Sequence, residues 1–401
     1  MKQAPNANEQ VFHYAKKEYG TNSIRNALDE GIITAEDAEF IKEFVTGVKL
    51  EHNIGVKRAN KITFTLVNWR RFIGPYTSNT FEQIVDGIDA LKSGKNRRDK
   101  PFEQNTIRDY ILFLKRFYVW MIENEYSKID SRKIGKIRAP ANAPKKLLPD
   151  DILTEGEIRA LIDACKSPRD RALVAILYES GCRVGEVGHL TWNRLRFDKH
   201  GVALTVDDTK TGKQRYVQLV MSLPYLAAWR GAYPFAPEGN ALVFITNRNN
   251  PVKYSTITKM LENLLSRAGI SKHVTPHLFR HTRVTHLINQ RMNESVIKMM
   301  IWGNITTNMF RTYAHLSSKN IETEVMRHYG IVCEESESHG ELQPEVCSQC
   351  YTINPPGALF CPTCGLALSE EVALTLREME EELRRDPMYQ QCLAQMNPAA
   401  A

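Results

Sequence analysis

Residues 275–316 carry side chains that could cut and rejoin a phosphodiester bond. His277 and Arg280 have the i, i+3 spacing that places two side chains on one face of a helix, and Tyr313 follows in the same stretch. Histidine and arginine can bind a phosphate through charge-assisted hydrogen bonds, after which a tyrosine hydroxyl can attack the phosphorus. Because the pKa of a phenol is near 10, this attack needs strong electrophilic help. These residues predict DNA strand transfer through a phosphotyrosine.

The start of this helix is also favourable for a phosphate. Thr275 is a suitable N-cap and Pro276 suits the first helical position, so the helix is predicted to begin where His277 appears. Unpaired N–H groups and the positive end of the helix dipole favour an anion at such a terminus. We therefore expect the phosphate to bind near this end of the helix.

A second arginine is available upstream. Arg183 follows Gly181, a suitable helix C-cap, and begins a new short helix in which Glu186 lies one turn later. A carboxylate at that spacing could orient the guanidinium. Taken alone, Arg183 is equally compatible with a surface position or a structural ion pair.

Residues 201–219 predict a β-hairpin that could supply a proton donor. Val202, Leu204 and Val206 alternate along one strand, the turn sequence DDTKTGK follows, and RYVQL forms the return strand. Lys210 lies at the tip, where a lysine with a lowered pKa can enter a DNA groove and donate a proton. An exposed turn lysine without a role is the alternative, and Lys213 is a rival for the role.

The charge of the chain is unevenly distributed. Residues 1–150 have 26 Lys+Arg against 19 Asp+Glu, residues 151–332 have 24 against 15, and residues 333–401 have 3 against 12. The overall net charge of +7 therefore hides a strongly basic body and an acidic tail. A polyanion such as double-stranded DNA is the expected partner of the body, with a solvated surface as the alternative.

Residues 51–135 predict a helical domain with cationic faces. Apolar residues recur at helical spacing in residues 57–74 and 106–124, while basic residues lie off these faces and in the loop SGKNRRDK. Cations spread over several helices suit contacts to a duplex backbone, although each could also be a solvated side chain. The candidate DNA-binding residues are Arg58, Lys61, Arg70, Arg71, Arg97, Arg98, Arg108, Lys115 and Arg116.

A proline-rich and basic segment, residues 136–150, predicts a linker between two basic domains. An extended linker of this length is long enough for the domains to bind opposite sides of a duplex. The expected regions are an N-terminal helical extension (1–50), the helical domain (51–135), the linker (136–150), a catalytic domain (151–332), a zinc ribbon (333–368) and an acidic C-terminal helix and tail (369–401).

Two CxxC pairs in the tail predict a structural zinc site. Cys347 and Cys350 form the first pair, and Cys361 and Cys364 form the second. Four thiolates at this spacing can enclose one tetrahedral Zn²⁺, and a closed shell of four cysteines is structural rather than catalytic. Disulfide pairing is the alternative, but the other four cysteines are scattered and do not form a disulfide framework.

The segments SGCRVGEV, TKTGKQR, HLFRHT and RTYAHL occur in an order that resembles the tyrosine recombinase family, the phage-integrase type of site-specific DNA recombinases. The resemblance runs from Thr154 to Leu316. It implies an α-helical DNA-binding domain and a mainly α catalytic domain with a small β-sheet, to which this chain adds a small zinc ribbon. It also implies a homo-tetramer on DNA in which residues 317–331 pack into a neighbouring subunit.

The resemblance implies a role for each candidate residue. Tyr313 would form a 3′-phosphotyrosyl bond and release a 5′-hydroxyl, and a second 5′-hydroxyl would reverse the reaction. Arg183 and Arg280 would bind the non-bridging oxygens. His277 would assist proton transfer from the tyrosine, and Lys210 would protonate the leaving oxygen. Since bond energy is conserved, catalysis is expected to need no cofactor.

One position departs from the family pattern. Where the family has a segment like LGH before the tyrosine, this chain has Trp302-Gly303-Asn304. An asparagine amide can donate one hydrogen bond to a phosphate oxygen, but it cannot carry charge or shuttle a proton. We expect Asn304 to act as a neutral donor, with compensation by Trp302 or His315, or a slow enzyme, as the alternatives.

The C-terminal tail predicts a contact with protein, and the chain has no recognisable targeting signal. The zinc ribbon is similar to those of recombinases from archaeal chromosomes and their viruses, and the acidic helix after it predicts protein contact or self-association. No long apolar run or signal-peptide h-region is present, so we expect a cytoplasmic protein. A type IB-like topoisomerase or resolvase, and a catalytically degenerate DNA-binding regulator, are the alternatives to an integrase.

Overall fold

The computed structural model describes residues 16–143, 149–207, 214–313 and 340–389, together with residues 4, 5, 12, 326, 329 and 331. The chain divides into two compact units, one formed by Tyr14–Lys145 and the other by Met1–His13 with Lys146–Ala401. In the described part of the chain, no helix is long and apolar enough to cross a membrane.

The unit Tyr14–Lys145 is helical, and its helices begin where the sequence places capping residues. Thr34 and Thr80 each accept a hydrogen bond from the backbone N–H three positions later, and the side chains of Asp37 and Gln83 return the bond. The described helices of this unit are α1 (Glu18–Asp29), α2 (Ala35–His52), α3 (Val56–Trp69), α4 (Phe81–Ser93), α5 (Gln104–Glu123) and α6 (Ser131–Lys136).

One hydrophobic core joins these helices. Trp69, Tyr76 and Phe117 are fully buried at its centre. Ile24 of α1 and Ile41 of α2 belong to the same cluster. We expected residues 1–50 to extend from a domain that begins at residue 51, whereas α1 and α2 supply part of the core of that domain.

A buried ion pair fixes the turn after α3. The carboxylate of Asp37 is 1% exposed and accepts hydrogen bonds from the backbone N–H groups of Thr34 and Tyr76. Nε of Arg70 also donates to this carboxylate at 2.7 Å, and the Arg70 side chain is only 10% exposed. Because its charge is paired inside the unit, Arg70 stabilises the fold, and its contact with DNA stays a prediction.

The second unit combines helices with a small sheet. Thr154 caps α7 through a capping box with Glu157, and Ser167 caps α8, which has a proline in its first turn. Its described elements before the tail are α7 (Glu155–Asp163), α8 (Pro168–Glu179), α9 (Val184–Gly188), β1 (Leu195–Asp198), β2 (Gly201–Asp207), β3 (Gln214–Leu219), α10 (Leu223–Gly231), α11 (Tyr254–Ala268), α12 (Pro276–Asn289), α13 (Glu294–Trp302) and a 3₁₀ helix (Asn308–Tyr313).

The predicted hairpin is present as β2 and β3, and β1 adds a third antiparallel strand in the order β1-β2-β3. Val206 on β2 is opposite Arg215 on β3. Along β3, Arg215, Val217 and Leu219 are buried, and the residues between them are more exposed. The sheet therefore places one arginine among apolar side chains.

Helix α8 is the centre of this unit. Its residues from Ala172 to Glu179 are all buried, and α7, α10 and α12 pack against it. The carboxylate of Glu179 accepts three backbone N–H groups directly after β3, which fixes the sheet to this helix. Phe12, from the start of the chain, is 2% exposed in the same core.

The tail contains a small ribbon and a helix. β4 (Glu345–Val346) and β5 (Ile353–Asn354) pair antiparallel. Ser369 caps α14 (Glu370–Arg385), in which no residue is buried. Among the described residues, no element therefore covers the apolar side chains of α14.

Replacing Asp37 by alanine tests the buried ion pair. The change leaves the Arg70 charge buried without its partner, so we expect the unfolding free energy of the helical unit to fall by about 3–5 kcal/mol. Hydrogen exchange of the α2 and α3 amides in the full chain measures this local stability.

Asp109→Ala is the matched control, because Asp109 contacts Lys61 at a more exposed position of the same unit. We expect a loss of less than about 1 kcal/mol there. Equal losses in the two variants would contradict a special contribution from the Asp37–Arg70 pair.

Candidate active site

Arg183 is held in place by Glu186. The chain leaves α8 at Gly181, whose φ of +56° lies in the left-handed region that favours glycine. Arg183 is the N-cap of α9, and its Nη1 donates to Oε1 of Glu186 at 2.9 Å. The Arg183 backbone N–H donates to the other carboxylate oxygen at 2.6 Å. Since the Arg183 side chain remains 37% exposed, a ligand can still reach the guanidinium.

A third arginine, Arg215, shares the same carboxylate. Its Nη1 and Nη2 donate to Glu186 at 3.0 and 2.6 Å, and its side chain is only 2% exposed. Its Nε donates to the backbone carbonyl of Met300 on α13. Burial alone would raise the pKa of Glu186, but the hydrogen bonds and charge of Arg215 hold it below its usual range. The carboxylate is therefore ionised and joins α9 to β3, and Arg215 in turn links β3 to α13.

Arg280 on α12 is the most buried of the predicted phosphate ligands, at 4% exposure. Its Nη1 donates to the carbonyl of Gly181 at 2.8 Å and its Nη2 to that of Ile301 at 3.0 Å. Burial, followed by the charges of Arg183 and Arg215, lowers the pKa of Arg280 to about 10. Three guanidiniums around one carboxylate leave an excess of positive charge, which favours an anion such as phosphate.

His277 lies at the start of α12 and is exposed. As predicted, Thr275 is the N-cap and Pro276 lies in the first turn. Desolvation of the ring, followed by the charges of Arg280 and Arg183, lowers the pKa of His277. The ring is therefore within electrostatic reach of both arginines, and the structure brings these three predicted residues together.

Tyr313 ends the 3₁₀ helix and is 4% exposed, packed with Ile301 and Phe310. Its hydroxyl group forms a hydrogen bond with Nδ1 of His281, a residue that the sequence analysis did not select. His281 is four residues after His277, and the two rings are edge-to-face with centres 4.5 Å apart. The nucleophile is thus next to α12, in contact with a histidine other than the predicted one.

The environment sets the protonation of this pair. Burial, followed by the charges of His277 and Arg280, lowers the pKa of His281 to about 4. Burial raises the pKa of Tyr313 to about 12 although the charge of Arg280 opposes the shift. At neutral pH both groups are uncharged. When the ring carries its proton on Nε2, Nδ1 accepts the hydrogen bond from the phenol O–H.

Asn304 lies in an exposed turn after α13, whose C-cap is Gly303 with a φ of +64°. Its Oδ1 accepts hydrogen bonds from the backbone N–H and the hydroxyl group of Thr306, at 3.0 and 2.9 Å. The oxygen, rather than the amide nitrogen, is used in this turn. Lys210, its rival Lys213, and His315 lie outside the described residues.

The candidate DNA-binding residues of the helical unit, apart from Arg70, form two groups. Arg108 and Lys115 are half-buried and donate to the backbone carbonyls of Pro140 and Gly135, at 2.7 and 2.6 Å, so they hold residues 135–140 against α5. The exposed group, which remains available to a polyanion, contains Arg58, Lys61, Arg71, Arg97, Arg98 and Arg116.

The four tail cysteines converge as a metal site requires. Their sulfur atoms all lie within 4.8 Å of one another. Cys347 and Cys364 are 3.5 Å apart at Sγ, and Cys350 and Cys361 are 3.4 Å apart. A disulfide needs about 2.05 Å, so the pairing alternative does not fit, whereas a tetrahedral Zn²⁺ with bonds of about 2.3 Å does.

Sequence reasoning missed Arg215 and His281, although each left a signal. Arg215 occupies an inward position of β3, in register with Val217 and Leu219, and a charged residue there implies a buried partner. His281 follows His277 by four residues, which places it on the same face of α12. Attention to the faces of these elements would have identified both.

The chain is similar in sequence to known proteins. Residues 151–320 match the phage integrase family. The chain is 25% identical over 295 residues to the tyrosine recombinase XerA of Pyrococcus furiosus, covering 72% of this chain and 94% of that protein. Sequence similarity therefore extends beyond the matched domain.

Two solved structures show the same fold. The XerH site-specific recombinase bound to palindromic difH, a post-cleavage complex, has a TM-score of 0.54 at 14% identity and covers 80% of this chain and 92% of its own. The lambda integrase tetramer bound to a Holliday junction has a TM-score of 0.51 at 15% identity, covering 66% and 76%. The expected fold class, helical and mainly α units with a small sheet, is confirmed.

The pH dependence of stability tests the His281 environment. The folded state keeps this ring neutral until about pH 4, whereas the unfolded chain protonates it near 6.5. The unfolded state therefore binds more protons between these values, and stability is lost as pH falls from about 6.5 towards 4. We expect His281→Asn to weaken this loss, measured as the difference in unfolding free energy between pH 7 and pH 5.

His281→Asn should not abolish the loss of stability at low pH. The pKa values of His277 and His286 are also lowered, mainly by desolvation, so these rings contribute to the same loss. A ring that titrates near 6.5 in nuclear magnetic resonance spectra of the folded protein, assigned through His281→Asn, would contradict the description of this environment.

Proposed function

We propose that this chain, a site-specific recombinase of the phage integrase family, cuts and rejoins DNA through a covalent bond to Tyr313. The tyrosine oxygen attacks the scissile phosphorus, a 3′-phosphotyrosyl bond forms, and the 5′-oxygen leaves. A 5′-hydroxyl of a second strand then attacks this bond and restores the backbone. The observation that carries the proposal is the packing of Tyr313 beside α12, the helix that presents His277 and Arg280.

The arginines supply electrostatic stabilisation. Arg183 is exposed enough to bind a non-bridging oxygen directly, and Glu186 orients it. Arg280 keeps its charge at neutral pH because its pKa is lowered only to about 10. Fixed cations of this kind are most effective as negative charge grows on the pentacovalent phosphorus, since no reorganisation is needed at that moment.

Other polar groups complete the proposed site. His277, at the exposed start of α12, is placed to donate to a phosphate oxygen. Asn304 can donate from its amide nitrogen, since its oxygen is engaged in the turn. Lys210 remains the proposed donor to the leaving 5′-oxygen, on the evidence of the motif alone.

Double-stranded DNA is the proposed partner, bound by the exposed cations of the helical unit together with the arginine cluster. XerH and lambda integrase were solved on DNA, the latter as a tetramer on a Holliday junction. We propose the same kind of assembly for this chain, with a homo-tetramer performing strand exchange. We propose a cytoplasmic location, which the proposed DNA substrate and the absence of a disulfide among the described cysteines support.

Residues 333–368, which the structure describes from residue 340 onward, are proposed to be a zinc ribbon. The donor set is four cysteine sulfurs, of which Cys347 and Cys361 are buried, and the set offers no open position for a substrate. Zinc would stabilise the ribbon and take no part in strand transfer. The acidic α14 that follows, with Leu374, Met379 and Leu383 exposed, is proposed to contact protein or to self-associate.

Tyr313→Phe tests the nucleophile. Wild-type protein is incubated with a library of randomised duplexes, each nicked so that cleavage releases a short fragment with a free 5′-hydroxyl that diffuses away. Covalent protein–DNA complexes are then isolated under denaturing conditions. Removing the hydroxyl removes the attacking atom, so we expect the selected duplexes to form no covalent complex with Tyr313→Phe.

Tyr178→Phe is the matched control, because the Tyr178 hydroxyl is also bonded to a histidine Nδ1, that of His286 at 2.9 Å. This variant should form the complex at the wild-type rate. Absence of a covalent product with wild-type protein on the whole library would instead support a DNA-binding regulator.

Metal analysis tests the ribbon. We expect purified full-length protein to contain one zinc ion per chain, and Cys350→Ser to lose it because three thiolates bind more weakly than four. Cys165→Ala, which changes a buried cysteine of the catalytic core, should keep the metal. Zinc retained in Cys350→Ser, or no zinc in wild-type protein, would contradict the proposed site.

A further inference from the structure

His281 is the polar side chain that the fold brings to the tyrosine hydroxyl. The hydrogen bond joins Nδ1 of His281 to Oη of Tyr313, and it connects two elements that are 32 residues apart in sequence. Apolar groups, including Phe310, surround the rest of the phenol ring. An imidazole nitrogen directed at a buried hydroxyl group is an arrangement that can accept a proton.

We propose that His281 is the catalytic residue that takes the proton from Tyr313 as the phenol oxygen attacks the DNA phosphate. The proposal rests on the proposed function. The proposed role of His281 replaces the one expected for His277. In this mechanism His277 binds the phosphate and does not accept the tyrosine proton. His281 touches the reacting oxygen, whereas the described contact of His277 with this pair is the edge of the His281 ring.

Each bond change in the step is balanced. The O–H bond of Tyr313 breaks and its proton moves to Nδ1 of His281, which becomes an imidazolium. The electron pair left on the phenol oxygen forms the new O–P bond. The P–O5′ bond breaks, and the leaving oxygen takes a proton from the general acid of the site. In the reverse step the tyrosine oxygen leaves and regains its proton from His281.

The electrostatic setting keeps the nucleophile inactive until DNA binds. With the pKa of His281 lowered to about 4 and that of Tyr313 raised to about 12, the proton stays on the tyrosine in the free protein. The charge of Arg280 contributes to the lowered value of His281. A bound phosphodiester places negative charge beside that arginine, so it raises the basicity of His281 when the substrate is present.

His277 and His281 lie in different surroundings. His277 is exposed at the helix start, where the N-terminal N–H groups and Arg183 favour an anion. His281 is one turn deeper and half-buried, beside the apolar cluster that holds the tyrosine. A proton transferred to His281 is therefore shielded from bulk water, while His277 remains available to a phosphate oxygen.

The test compares two substitutions of His281 in the full-length protein. His281→Asn keeps an acceptor near the position of Nδ1 but cannot take a proton, and His281→Ala leaves a space that free imidazole can enter. The probe is a nicked duplex selected by wild-type protein for covalent capture. Covalent-complex formation and DNA binding are both measured, so that a defect in chemistry is distinguished from a defect in binding.

We expect both variants to form the covalent complex about 100-fold more slowly than wild-type protein, with DNA affinity unchanged. Imidazole should accelerate His281→Ala but not His281→Asn, since only the first has room for it. His286→Asn is the matched control, because His286 lies on the same helix and bonds a tyrosine hydroxyl through the same ring nitrogen. It should react at the wild-type rate.

Different outcomes would contradict the proton transfer to His281 and the proposed function of Tyr313. A rate within twofold of wild type in His281→Asn shows that an acceptor suffices and overturns the proton transfer. A slow His281→Ala that imidazole does not accelerate, at a concentration that does not affect wild-type protein, also overturns it. If Tyr313→Phe still forms the covalent complex, the proposed function fails, and the role of His281 fails with it.

Discussion

The structure of the site depends on one buried carboxylate that binds two arginines. Glu186 bonds Arg215 at 3.0 and 2.6 Å and Arg183 at 2.9 Å. Since a single negative charge cannot neutralise these two cations and Arg280 as well, the cluster remains positive. Its cost in desolvation is offset by the hydrogen bonds of Glu186 and by the compact fold around α8, which fixes all the elements involved. A DNA phosphodiester, which carries one negative charge, would offset part of this excess positive charge.

Helix α12 carries the remaining chemistry on one face. His277, Arg280 and His281 have the spacing i, i+3, i+4, so their side chains lie together. The carbonyls of Gly181 and Ile301 hold Arg280, which ties α12 to the turn before Arg183 and to the end of α13. The proposed phosphate ligands and the histidine that contacts Tyr313 therefore belong to one helix, whose regular geometry sets their relative positions.

Motif order was sufficient to predict the fold class and to find residues that the fold brings together, because spacing on helices and strands fixes side-chain direction. The same reasoning could not find partners that are distant in the sequence. Arg70 lies on the polar side of α3, and the pattern of that helix does not show its ion pair with Asp37, 33 residues away. Strand β1 was missed because four residues are too few to show alternation. His281 was overlooked because its partner, Tyr313, comes from a distant segment.

The burial of Tyr313 limits its reactivity in the free protein. A tyrosine that is 4% exposed and keeps its proton at neutral pH is a poor nucleophile towards any small electrophile in solution. The charge of Arg280, a proposed phosphate ligand, also lowers the basicity of His281. In the proposed mechanism, binding the anionic substrate reduces this effect, so substrate recognition and nucleophile activation are coupled through one guanidinium group.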